Sequence, residues 1–386
     1  MTASLRAPEA FKPSEQPPQY MRLAHALQQY QQKMAGYSWI SFPENTSLRL
    51  QDSSRYVSDL RHNLSLTGDL PAGNETANPV FDEAVAVALK KFQQRHGLLA
   101  DGVVGQQTLR ELNTPPAYRI RQIGVNLKRW QQFAADSAQP LVLVNIPGYT
   151  LQLFDKDGKT IWSTRVVVGM TGKAYQTPLL NGYLQYLVLN PGWNVPQSIM
   201  RREIIPVLRE DKGYLARNHM TLYRQQGGQK TRISVYAVDW SKADPERDRL
   251  LMVQEPGPWN ALGRIKFVFP NSHAVYLHDT PVKQLFQYTS RAYSHGCVRV
   301  EHPDTLAGYL LSEDWGHKKS IKALLKETTP DKAIRLPKQV QVKLGYYTCW
   351  VDDSGALQFR QDIYKRDGLP EVELCPQPIT YNAGEK

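Results

Sequence analysis

The sequence has only three cysteines in 386 residues, Cys297, Cys349 and Cys375, and no Cys-x-x-Cys pair. A structural zinc site therefore has little support. Long apolar runs are also missing: nothing approaches the roughly eighteen residues that a membrane-spanning helix needs. The opening Met1-Thr2-Ala3-Ser4-Leu5-Arg6 lacks the apolar core of a secretory signal. No dense Lys/Arg run and no nucleic-acid module is present, so nucleic acid is not an expected partner despite a formal charge of +11. That charge suits anionic surfaces such as lipid headgroups or wall polymers, or it is simply a solvated basic surface. A hydrophobic content of 41% is ordinary for a globular chain, and the length allows two or three domains.

Taken in order, residues 1–18 are rich in Pro, Ser and Glu and read as a flexible leader. In 19–46, Tyr20, Leu23, Ala24, Leu27, Tyr30 and Met34 recur at helical spacing, giving a scaffold helix. In 47–113 the pattern predicts three short helices. Val57, Leu60 and Leu64 mark the first. Asn78, followed by Pro79, is expected to cap the second, whose stripe is Phe81, Val85, Ala88 and Phe92 and which Gly97 stops. Leu109 and Leu112 mark the third, and Leu70 to Ala77 reads as an extended loop. With Phe92-Gln93 and Asp101-Gly102, this segment resembles the three-helix peptidoglycan-binding module. The resemblance implies affinity for glycan; a scaffold that has lost that affinity is the plain alternative. Thr114-Pro115-Pro116 breaks the chain, and Ile120, Ile123, Leu127 and Trp130 predict a linking helix over 114–137, read as a strut into the next domain.

From Leu141 the period becomes that of strands. Leu141–Ile146, Leu151–Phe154, Ile161–Val168, Tyr183–Leu189, Arg264–Phe269 and Ala274–His278 give a mostly β domain over 138–325, with a late helix near Pro303–Leu311. The fold class is thus α+β. Residues 195–258 interrupt the strands with a helical stretch and many charged residues, an insertion long enough to be a lid or subdomain. Residues 326–386 read as C-terminal strands and tail, with strands at Val340–Trp350 and Leu357–Ile363.

The chemistry concentrates in Ser294-His295-Gly296-Cys297-Val298-Arg299, with His278 lying 19 positions before the cysteine. A thiol attacks as the thiolate, so a nucleophilic cysteine needs a base or a positive charge beside it. Gly296 lets the backbone approach a bound carbonyl, which suits an oxyanion site made of the Gly296 and Cys297 N–H groups. A buried structural cysteine is the bland alternative. A zinc site of His273, His278, His295 and Cys297 is open on residue types, but strand alternation turns neighbouring side chains to opposite faces. No cofactor or metal is expected.

These residues, with Thr177-Pro178 and Asn260-Ala261-Leu262-Gly263-Arg264, resemble the signature of the L,D-transpeptidases of the YkuD type over roughly Gln139 to Leu325; Ala261 stands where proline is usual. The layout is most similar to large YcbB-type members of Gram-negative envelopes. The resemblance implies Cys297 as nucleophile, His278 as base, and the Asp279 main chain as holder of the imidazole. Arg299, Tyr276, His295, Asn260 and Trp193 are the expected substrate contacts, and 195–258 a cap whose Arg201 or Arg202 would hold a stem carboxylate. The implied reaction is 3→3 cross-linking of peptidoglycan stems through a cysteine thioester. The same acyl-enzyme would also serve an L,D-carboxypeptidase or related hydrolase, and a non-catalytic wall-binding scaffold is the third reading. Implied partners are stem peptides, glycan and carbapenem inhibitors. The implied place is the periplasm, with a membrane anchor or signal in an N-terminus upstream of this one. Cys349 and Cys375 are left as a candidate disulfide in an oxidising compartment.

Overall fold

The structure, a computed structural model, describes residues 17–71, 77–133, 140–313, 318–326 and 329–369. Most of the expected leader, the centre of the Leu70–Ala77 loop and Cys375 fall outside them, and with Cys375 the expected disulfide to Cys349. Two compact units emerge: described residues up to 133 with those from 346 onward, and residues 140–345.

The first unit is helical, with α1 (Pro18–Met34), α2 (Arg55–Leu66), α3 (Glu83–Arg95), α4 (Gln106–Leu112) and α5 (Pro116–Gln131). The apolar stripes meet as expected: Val57, Leu60 and Leu64 of α2 pack with Val85, Leu89 and Phe92 of α3 and Leu109 and Leu112 of α4 in one core. Each such side chain contributes about 1.5–3 kcal/mol by leaving water. The cap of α3 differs from the expectation. Asp82 fills it, its side chain accepting from Val85 N–H (3.1 Å), while Asn78 accepts from Val80 N–H (3.0 Å) in a turn. Phe81 is held extended by exchanging backbone hydrogen bonds with Gln51 and Asp52 (both 2.8 Å), so the helix cannot start at Pro79.

Two further expectations are corrected here. The linking helix α5 is an integral part of this unit, not a strut beyond it. Its Asn126 exchanges hydrogen bonds with Thr348, from Nδ2 to Oγ1 (2.7 Å) and from the Thr348 N–H to Oδ1 (2.9 Å). The tail beyond 326 does not form one C-terminal element. Residues Lys332–Gly345 join the β unit, while Cys349–Val351 and Leu357–Phe359 pair as a hairpin in the helical unit. The strand expected over Val340–Trp350 breaks at 346, where Tyr346 and Tyr347 are buried in the helical unit, Tyr347 stacked on Trp130.

The second unit is built on β1 (Leu141–Asn145), β2 (Thr150–Phe154), β3 (Thr160–Gly169), β4 (Leu180–Leu189), β5 (Trp193–Asn194), β6 (Met220–Gln226), β7 (Gln229–Arg232), β8 (Leu250–Gln254), β9 (Ile265–Val268), β10 (Leu277–His278), β11 (Ala292–Ser294), β12 (Val298–Val300) and β13 (Lys332–Gly345). Nine of these form one sheet in the order β11-β3-β12-β10-β9-β4-β13-β1-β2, and an added β2–β3 pairing closes it on itself. β13 lies beyond the expected limit of 325 yet is integral, pairing with both β1 and β4. The insertion folds as a subdomain. Strands β5, β8, β6 and β7 form a second sheet, and Met200, Ile204, Leu208, Leu222, Trp240 and Met252 build its own core. It begins at Trp193, two residues earlier than expected, because β5 pairs with β8.

Candidate active site

Strand register assembles the site. On β10, His278 is opposite Lys266 of β9 on one side and Arg299 of β12 on the other. Directly opposed residues project from the same face with Cβ atoms about 4.5–5.5 Å apart. His278 therefore sits between two cationic side chains. The residues alternating with them, Phe267, Leu277 and Val298, are buried and face the core. This is the period-two rule applied to three strands at once.

Cys297 precedes β12 and Tyr276 precedes β10. Tyr276 meets the thiol twice, through its hydroxyl and through its backbone N–H. The thiol's remaining contact is the Ala274 carbonyl, 4.0 Å away. Ala274 has φ of 52°, in the left-handed region, and Asn271 holds its loop: Oδ1 accepts from the N–H of His273 and Val275 (both 3.1 Å) and Nδ2 donates to the carbonyls of Phe269 (2.9 Å) and Val275 (2.8 Å). Trp193, from the cap sheet, hydrogen-bonds the Tyr276 hydroxyl, and Lys266 Nζ lies 4.0 Å from the centre of the Tyr276 ring.

The motif loop is pinned from behind. Thr177, fully buried, donates to the Gly296 carbonyl (2.9 Å) and accepts from Gly169 N–H (2.9 Å). Gly169 tolerates no side chain: a Cβ there would lie 1.9 Å from the Tyr175 carbonyl oxygen. Ser294 Oγ donates to the Cys297 carbonyl (2.5 Å) and accepts from Gly296 N–H (3.2 Å). The Gly296 N–H is thus engaged inside the motif, which departs from its expected oxyanion role.

The charges are unusual. Burial, then the Arg299 and Lys266 cations, pushes His278 down to about 3, against a hydrogen bond from its Nδ1 to the Asp279 carbonyl. Burial raises the Cys297 thiol, opposed by Tyr276, Lys266 and Arg299. The resting pair is therefore a neutral imidazole and a neutral thiol, not an ion pair. Burial also lowers both Lys266 and Arg299. Arg299 Nε is buried without a hydrogen-bond partner.

Of the other expected contacts, Asp279 keeps its main-chain contact to His278, while its carboxylate binds Lys283 (2.5 Å) and the N–H groups of Thr280 (2.7 Å) and Arg264 (2.9 Å). Gly263, at φ of 60°, makes room for it. Asn260 is corrected from substrate contact to turn support: fully buried, it donates to the carbonyls of Gln254 (3.2 Å) and Glu255 (2.9 Å) and accepts from Leu262 N–H (2.8 Å). His295 turns to the cap, donating from Nε2 to Glu203 Oε1 (2.5 Å), with its ring edge-on to Tyr175. Arg201 is corrected too, being paired inside the cap with Asp244 (3.1 Å) and Glu246 (3.3 Å), and Arg202 lies 5.5 Å from the Tyr175 ring centre. Lys266 and Asn271 went unread in the sequence. The alternation of β9 marks Lys266 as off the core face, but only pairing with β10 reveals what it faces.

Residues 139–329 match the YkuD family, "L,D-transpeptidase catalytic domain", and residues 53–112 match "Putative peptidoglycan binding domain". A Haemophilus influenzae protein described as "Putative L,D-transpeptidase" is 34% identical over 230 residues, covering 58% of this chain and 44% of that protein. The "N-acetylmuramoyl-L-alanine amidase CwlM" of Mycobacterium tuberculosis is 36% identical over 84 residues, 20% of each chain. The chain thus spans less than half the length of these curated relatives. A solved L,D-transpeptidase from Stackebrandtia nassauensis overlaps 79% of this chain and 98% of its own at 16% identity, with a TM-score of 0.29, too low to carry weight.

Proposed function

Since residues 139–329 match the L,D-transpeptidase catalytic domain of the YkuD family, we propose that this protein joins peptidoglycan stems by 3→3 cross-links through a thioester on Cys297. The observation that carries the reading is the joint placement of the Cys297 thiol against Tyr276 and of His278 on the strand beside it. In this reading the sulfur attacks the carbonyl carbon of the third residue of a tetrapeptide stem. The thiol proton passes to His278, whose other nitrogen is fixed by the Asp279 carbonyl. The carbon–nitrogen bond then breaks, and His278 returns the proton to the leaving amine of the terminal D-alanine. The amine of a second stem's diamino acid displaces the sulfur, His278 takes up its proton, and the thiol is restored. The Cys297 N–H stabilises the oxyanion, and Arg299 binds a stem carboxylate.

The cap, seated on the motif through Glu203 and His295, excludes water and so favours amine over hydrolysis. The helical module holds the enzyme on glycan. On this reading the protein is a YcbB-type enzyme that works in the periplasm, is held at the inner membrane and is acylated by carbapenems. Incubation with tetrapeptide muropeptides, followed by mass spectrometry, tests the reading. Cross-linked dimers carrying a 3→3 bond are expected. Tripeptides alone would make the protein an L,D-carboxypeptidase. An unreacted thiol with no product would remove the enzymatic reading altogether.

A further inference from the structure

We propose that Lys266 and Arg299 form a carboxylate subsite astride His278, and that filling it with the anionic end of the acyl-donor stem readies the histidine to act as a base. The inference rests on the proposed transpeptidase reading and deepens it.

Register carries it first. Lys266, His278 and Arg299 occupy opposed positions on three adjacent strands, so their side chains leave one face in a row with the imidazole in the middle. Composition carries it second. Among the described residues neither Lys266 nor Arg299 has a carboxylate within salt-bridge distance. The Arg299 Nε is buried and unpartnered. Lys266 lies over the Tyr276 ring and feels Asp331 only from beyond salt-bridge distance, and a guanidinium with an ammonium is the donor set that a carboxylate completes.

The Asp279 and Leu262 carbonyls favour the charged imidazole, but among the described residues no carboxylate acts on it. Lys266 reaches it from β9, Arg299 and Cys297 from β12 and the motif, Tyr276 from its own strand, and the Leu262 carbonyl from the preceding turn. The carboxylate of Asp279 is committed to Lys283, Thr280 and Arg264. If His278 accepted the Cys297 proton with the subsite empty, three positive charges would stand in one row with only the new thiolate to offset them. A bound carboxylate removes that opposition, and the C-terminal carboxylate of the stem lies one residue from the bond to be broken. The stem would thus bring the counter-ion that its own acylation step needs, and a neutral compound in the cleft would leave the base idle.

The test compares one tetrapeptide stem in two forms, with a free C-terminal carboxylate and with a carboxamide. Thioester formation on Cys297 is followed by intact mass in single turnover. The unmodified protein should prefer the carboxylate form by about tenfold or more, the worth of a charge-assisted hydrogen bond. Lys266→Met should lose most of that preference while Lys266→Arg keeps it. In Cys297→Ala protein, which cannot turn over, NMR of labelled histidine should show the His278 titration moving to higher pH when the carboxylate stem binds and not when the carboxamide binds. Equal acylation by both stems, or an equal loss for both in Lys266→Met, overturns the subsite and leaves the transpeptidase standing. Failure of either stem to acylate Cys297 overturns the functional reading, and the subsite falls with it.

Discussion

The helical module and the active-site face treat buried polar groups in opposite ways. In the module the polar residues that carry the family match are fastened internally. Gln93 donates to the Asp101 carboxylate (2.8 Å), the Val103 carbonyl (2.9 Å) and Thr108 Oγ1 (3.1 Å), and accepts from Gly102 N–H (2.8 Å). Asn63 exchanges hydrogen bonds with Ile40, Asn113 does so with Phe42, and Arg95 grips Asp69 with both nitrogens of its fork. The residues that make the module recognisable, Gln93 with Asp101-Gly102, are therefore its internal fastenings. On the active-site face, Arg299 Nε has no partner, Lys266 and His278 are shifted by burial, and the thiol is held neutral. A motif can be well matched for reasons of folding in one region and for reasons of chemistry in another. What separates the two cases is whether its polar atoms are already satisfied.

The contrast breaks most visibly at the thiol. Cys297→Ala should lower turnover by on the order of 10³-fold or more while the melting temperature hardly moves. Product analysis by mass spectrometry beside calorimetry checks both, and a large loss of stability would show that the thiol is structural. In the module the reverse is expected. Gln93→Leu leaves the buried Gly102 N–H without its acceptor, while the Asp101 carboxylate and the Val103 carbonyl keep the N–H groups of Val103 and Gly105, and should destabilise the helical unit by about 1–3 kcal/mol. Denaturant unfolding measures this, while Cys297 acylation by a small acyl donor should be unchanged.

Much of this was legible in advance, and the limits are instructive. The α2, α3 and α4 stripes follow from helical spacing, and the strands from alternation, because both patterns are local. The Asp82 cap was misread because Asn78-Pro79 is a good helix start by local rules, and only the backbone exchange of Phe81 with Gln51 and Asp52 overrides it. Cys297 and His278 stand out through residue type and spacing. Lys266 does not, since a lysine in a short strand is ordinary until β9 and β10 pair. Asn260 is the converse: a polar residue in a matched motif, read as a pocket contact, whose side-chain hydrogen bonds within six residues assign it to a turn.

A finer probe of the comparison is the pH dependence of the thiol. Burial holds Cys297 above the ordinary thiol value, and His278 stays neutral down to about 3. Iodoacetamide alkylation of Cys297 should therefore inflect above the ordinary thiol value of about 8.5, with no step near 6.5. An inflection below 7 would reveal a preformed thiolate–imidazolium pair and reverse the electrostatic picture. His278 also bears on stability. The unfolded imidazole takes up a proton near 6.5 while the folded one resists until about 3, so stability falls as pH drops through that window. His278→Gln should flatten that part of the acid-unfolding curve.

The smallest expected effect is at the cap. Glu203 is partly exposed, so its contact with His295 is worth under about 1 kcal/mol. Glu203→Gln should leave the melting temperature within error and speed amide exchange in the helical segment Met200–Ile204. Unchanged exchange would mean that the cap's own core, and not this contact, keeps it in place.

The helical unit is written in two instalments. α5 is translated early, but its Asn126 needs Thr348, and Gln19 of α1 needs the backbone of Val351. The whole of 140–345 is synthesised between those halves. On the ribosome, then, the first-made helices cannot finish folding until the last β strand of the other unit has been made. Premature termination anywhere in 140–345 leaves Trp130 without Tyr347 and the hairpin partners of α5 missing. A truncated product would expose that apolar surface and its unpaired amides, the features that proteases recognise, so an incomplete catalytic sheet is reported by the unit that precedes it.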